Sequence, residues 1–140
     1  MLDNFLLNES PKEREFFGVM AKGLSGDLVF KCTPATVTPV PTSAAWTRTV
    51  VVTLETAAGE VHTWFNKAIA TGVSIADTST AGTATIPSTT LTFVDGKASV
   101  VITGSAHAWL NSETDTLTVA QATILGYTVA SKTSVETFTT

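Results

Sequence analysis

The sequence predicts an all-β fold, a two-sheet antiparallel β-sandwich over residues 28–140 with an arm and a short helix over residues 1–27. Three observations predict it. Threonine supplies about one residue in five and valine is abundant, while Asp, Glu, Lys and Arg together make up only 14%. β-Branched side chains suit a pleated, half-buried surface, and the charge content lies well below the usual ~25%. Residues 46–55 alternate strictly, with Trp46, Arg48, Val50, Val52 and Leu54 on one face and Thr47, Thr49, Val51, Thr53 and Glu55 on the other, which is the period of a strand. Asp95-Gly96 is the favoured pair for a two-residue hairpin turn. With 140 residues the chain fits one domain, and such a domain buries roughly two-thirds of its unfolded surface without a disulfide or metal.

The elements follow in order. Phe5, Leu6 and Leu7 form a short apolar arm. Ser10-Pro11-Lys12-Glu13 starts a helix: Ser10 caps, Pro11 suits the first helical position, and Glu13 closes a capping box. Phe16, Phe17, Met20, Ala21 and Leu24 recur at helical spacing, and Gly23 and Gly26 stop the helix. The prolines from Pro34 to Pro41 mark a connector or edge segment, since proline donates no ladder hydrogen bond. The strand at 46–55 is followed by a turn at Ala57-Ala58-Gly59-Glu60 and an expected return strand at Val61–Phe65. Residues 67–86 are rich in small residues, with a short strand at Val73-Ser74-Ile75. Leu91–Val94, Asp95-Gly96 and Lys97–Thr103 read as a hairpin. Strands are further expected at Thr116–Val119 and Tyr127–Val129, and an edge strand at the tail from Ser134 to Thr140. Regular short strands of this kind build a sandwich or barrel. Val50, Val52, Leu54, Phe93, Val100 and Ile102 are expected in its core.

Few residues suggest chemistry. The net charge is −4 and the basic residues are scattered, so neither nucleic acid nor an anionic membrane face is an expected partner. The opening Met1-Leu2-Asp3-Asn4-Phe5 lacks the basic start of a secretory signal, and the lone Cys32 has no disulfide partner. Cytosolic synthesis, with Cys32 as a small buried hydrophobe, is the expectation. His62 and His107 have no neighbouring ligands at metal spacing. Asn111, Glu113 and Asp115 alternate like the start of a calcium loop, but Thr116 and Ala122 stand where such a loop needs Gly and Glu. The sequence offers no nucleophile elbow and no phosphate cradle. No enzyme activity, cofactor or metal is therefore expected. Trp46, Trp64 and Trp109 allow two readings. They form a sugar-stacking platform, or Trp46 and Trp64 anchor the core from opposing strands of one hairpin.

Arg48–Gly59, then Thr90–Thr103 with its Asp95-Gly96-Lys97-Ala98-Ser99-Val100, then Asp115–Val119 together resemble bacterial immunoglobulin-like domains of the invasin and intimin type. The resemblance spans roughly residues 46–120 and departs at the long middle loop and over the last twenty residues. It implies an Ig-like sandwich, although a jelly-roll Greek key produces the same local signals. The whole chain, a single β-domain behind an arm, is similar to the cement (decoration) proteins of tailed-phage capsids. That similarity implies a virion structural protein made in the host cytoplasm and bound to the capsid exterior. Its partners would be the major capsid protein or another virion protein, with homo-oligomers on the symmetric shell. Phe5, Leu6, Leu7, Phe16 and Phe17 would be its partner-binding residues. The alternative is an Ig-like receptor- or carbohydrate-binding module of a tail fibre or surface adhesin.

Overall fold

Residues 27–140 are described by the structure, a computed structural model; the expected arm and helix lie outside them. In chain order the strands are β1 (Val29–Thr33), β2 (Thr36–Val37), β3 (Trp46–Glu55), β4 (Lys67–Ile69), β5 (Val73–Asp77), β6 (Ala84–Thr85), β7 (Leu91–Phe93), β8 (Lys97–Gly104), β9 (Thr114–Val119), β10 (Ala122–Ile124), β11 (Tyr127–Val129) and β12 (Lys132–Thr137). No helix occurs among the described residues. One four-stranded sheet runs β1-β3-β8-β6 and the other β2-β12-β9-β5; β4 with β7 and β10 with β11 form two small ribbons.

The two large sheets are sandwich-like, because their inward residues meet in one core. Phe30, Val50, Val52, Leu54, Val100 and Ile102 come from the first sheet, and Val73, Leu117 and Val119 from the second. All the core residues expected from the sequence are buried. Alternation decides which residues these are: β8 runs exposed and buried in strict succession from Lys97 to Gly104, so every second side chain is driven out of water. The small ribbon β4-β7 closes one end, where Phe93 stacks on Phe30 at 5.9 Å and tilts against Phe65 at 5.0 Å. At the opposite end Trp46, Trp109 and Phe138 form a second aromatic cluster, with ring centroids 5.2–5.8 Å apart.

Four expectations need correction. The sheets are not wholly antiparallel: β2 runs parallel to β12, through Thr36 opposite Val135 and Val37 opposite Glu136. The chain leaves the first sheet after β1 and joins the second within two residues, at Pro34-Ala35. Residues 61–65 are not a strand. Only Val61 bridges Glu55, after which the chain turns to bury His62 and Phe65 under the hydrogen bond from Gly96 N–H to Phe65 O (2.8 Å). The Asp95-Gly96 turn forms, with φ 50° and 77°, and Val94 and Lys97 exchange two hydrogen bonds. The ladder ends there, because β7 swings away to pair with β4. The tail strand β12 is interior to its sheet, between β2 and β9, and is not an edge.

Candidate interaction surface

The second sheet distributes its charges in an unusual way. Alternation along β9 and β12 turns Asp115, Leu117, Val119, Ser134 and Glu136 inward and leaves Thr114, Thr116, Thr118, Thr133, Val135 and Thr137 outward. Register aligns these outward residues in rows across the sheet. Ser74, Thr118 and Thr133 form one row, and Ala76, Thr116, Val135 and Thr36 the next. Thr78, Thr114 and Thr137 complete a third, in which Thr78 N–H donates to Thr114 O (2.9 Å) and the two threonine hydroxyls lie 3.3 Å apart. Among the described residues, the outward face of β5-β9-β12-β2 therefore carries methyls and hydroxyls and no ionisable side chain. The outward face of the first sheet differs, because Lys31, Glu55 and Lys97 lie on it, with Lys31 Nζ 4.0 Å from Glu55 Oε1.

The acidic residues of the second sheet are used internally. Asp77 Oδ2 accepts from Ala84 N–H (2.9 Å) and ties β5 to β6. Arg48 crosses from β3 and donates to Asp115 Oδ1 through Nε (3.2 Å) and Nη2, and to Ser134 Oγ through Nη1 (2.9 Å). Ser134 Oγ donates in turn to Pro34 O (2.7 Å), at the crossing from β1 to β2. Cys32 is buried nearby, and burial pushes its thiol up, opposed by Lys132 and Arg48.

The other residues singled out in the sequence are accounted for structurally. His62 is buried; its Nε2–H faces Asp27 O (2.8 Å), and its Nδ1 accepts from Trp64 Nε1–H (3.1 Å). Those partners fit the single neutral tautomer carrying its proton on Nε2. His107 is exposed on a loop. Glu113 clamps two loops: its Oε2 accepts from Leu110 N–H (2.8 Å) and its Oε1 from Thr80 N–H (3.3 Å). The Leu110 bond above all holds its carboxyl below the usual range. Asn111 Oδ1 accepts from Thr140 N–H (3.1 Å), so Asn111, Glu113 and Asp115 serve three separate purposes. Among the described residues no group of three or more His, Cys, Asp or Glu is placed to hold a metal ion.

The three tryptophans do not form one platform, although Trp46 packs edge-on against Trp109. Trp46 pairs with Gly104 at one end of β3, and His62 N–H donates to Leu54 O at the other, about 26 Å along the strand, so Trp64 lies toward the end of β3 away from Trp46. They are not opposing residues of one hairpin. Trp109 is 1% exposed and donates from Nε1 to Ser105 O (3.1 Å), which leaves it no free face for a sugar. The five arm residues Phe5, Leu6, Leu7, Phe16 and Phe17 lie outside the described residues.

Sequence reading missed both the uncharged face and the buried charge cluster. The signal was present, since Asp115 shares strand parity with Leu117 and Val119, and Arg48 with Val50 and Val52. Comparison with known proteins adds no identity: no family model matches the chain and no curated protein matches it.

Proposed function

We propose that this protein is a virion structural protein, a capsid cement that binds assembled major capsid subunits from the outside after synthesis in the host cytoplasm. The observation that carries this reading is the uncharged outward face of β5-β9-β12-β2. Depletion of charge distinguishes the cores of protein interfaces from ordinary surface, and here the strands place their acids inward while the face outside stays neutral. From strand spacing and rise the patch measures roughly 400 Å², about half the ~800 Å² per partner of a standard interface. One such contact is weak. Repeated around a symmetric shell, where copies also meet one another, many weak contacts add through multivalency.

The fold suits this work, and we read it as an Ig-like sandwich and not as a jelly roll. The orders β1-β3-β8-β6 and β12-β9-β5 follow the A-B-E-D and G-F-C orders of the immunoglobulin fold, with β2 added parallel beside β12. A rigid sandwich straddling a seam opposes subunit separation without chemistry. The arm residues Phe5, Leu6, Leu7, Phe16 and Phe17 supply further apolar anchorage in this reading.

Cosedimentation with cement-free capsids of the encoding phage tests the reading. The intact protein is expected to pellet with the shells. Thr116→Lys and Thr118→Lys place a charge on a desolvated contact, which costs several kcal/mol, so at least about tenfold of the affinity is expected to go. Both positions point outward, so stability should stay within ~0.5 kcal/mol of the parent. Failure of the intact protein to bind any shell, together with retention on a glycan array, favours the receptor- or carbohydrate-binding alternative.

A further inference from the structure

We infer that one proton shared between Glu136 and Asp115 is a structural part of the folded domain, which is therefore locked at mildly acidic pH and loosened as the pH rises to weakly alkaline values. Asp115 and Glu136 face each other in the β9-β12 ladder, with side chains 0% and 6% exposed. A single guanidinium, that of Arg48 at 8% exposed, serves both. Its hydrogen bonds are spent on Asp115 Oδ1 and Ser134, and its Nε remains 3.9 Å from Glu136 Oε1. Asp115 Oδ2 and Glu136 Oε1 are buried and find no hydrogen-bond partner among the described residues.

Two buried anions against one cation leave an uncompensated buried charge, at a cost of several kcal/mol. A proton on Glu136 removes that charge and supplies an O–H donor for the adjacent carboxylate. Among the described residues the surrounding elements bring no second cation to the pair: β5 places Asp77 opposite Asp115, where its Oδ2 accepts from Ala84 N–H (2.9 Å), so it adds a further acid. β1 contributes Cys32, whose thiol burial keeps protonated; β2 meets Glu136 through Val37 and brings nothing ionisable; on β12 Lys132 is exposed at the strand's start. Burial first, then the hydrogen bond and the charge of Asp115, push Glu136 up to about 8 against the pull of Arg48.

The sign follows from linkage. Below about 4.5, the ordinary value for Glu, both folded and unfolded chains hold the proton and the contribution to stability is complete. Between there and about 8 only the folded chain holds it, so stability falls as pH rises and levels off above. One proton corresponds to an unfolding constant that grows by up to about tenfold per pH unit.

Urea unfolding of the full chain from pH 5.5 to 9 tests this against Glu136→Gln, whose amide still donates to Asp115 but carries no titrating proton. The parent's unfolding constant is expected to rise steeply relative to the variant's up to about pH 8. Equal slopes in parent and variant overturn the inference. Carbon-detected NMR titration of the Glu136 carboxyl in the parent decides the matter even where the variant does not fold. A midpoint above 7 supports the shared proton, and one near 4.5 refutes it.

Discussion

Phe93 holds one end of the core at the scale of single residues. It is 1% exposed and lies between the rings of Phe30 and Phe65. Phe93→Ala removes those contacts and leaves a cavity that the surrounding strands cannot fill, so urea unfolding should register a loss of about 3–5 kcal/mol. Gly104 does the corresponding work at the other end. It sits opposite Trp46, and a Cβ there would collide with the Trp46 indole. That indole is held in turn by Trp109 and Phe138, so it has no easy way to yield. Gly104→Ala should destabilise by roughly 1–3 kcal/mol and change the near-ultraviolet circular dichroism of the tryptophans. The sequence placed Trp46 and Arg48 correctly on the inward face of β3, because parity is a local property. It did not reveal Gly104 beneath Trp46, or Asp115 beside Arg48, because those pairings depend on the register between distant strands.

At the scale of elements, the turns separate local preference from tertiary demand. Gly96 and Gly126 have similar backbone angles, φ 77° and 79°, each in the second place of a two-residue turn. A Cβ at Gly96 would lie 2.5 Å from His62 O, whereas one at Gly126 meets nothing within 4 Å. Gly126→Ala should therefore cost only the left-handed penalty of about 1–2 kcal/mol, and Gly96→Ala measurably more; paired urea titrations check the difference. Asp95-Gly96 was legible as a turn because its chemistry is local. That β7 then leaves β8 for β4 was not, since alternation in Leu91–Phe93 satisfies either partner. β11 was legible as the strand Tyr127–Val129, but β10 and its pairing with β11 were missed, because the turn between them places Leu125 at φ 53°, where sequence rules expect Gly, Asn or Asp.

For the whole molecule, the decisive feature is the division of charge between the sheets. The second sheet buries Asp115 and Glu136 and shows neutral threonines outside, while the first sheet shows Lys31 and Lys97. Composition announced a low-charge, threonine-rich surface but could not assign it to one face, because that assignment rests on the β5-β9-β12-β2 register. We propose this face as the contact surface. Electron microscopy of the protein on assembled capsids at side-chain resolution tests it most directly. Thr116, Thr118 and Val135 are expected to lie against the capsid subunits, with Lys31 and Lys97 toward solvent. A reconstruction with the β5-β9-β12-β2 face open to solvent at full occupancy would contradict it.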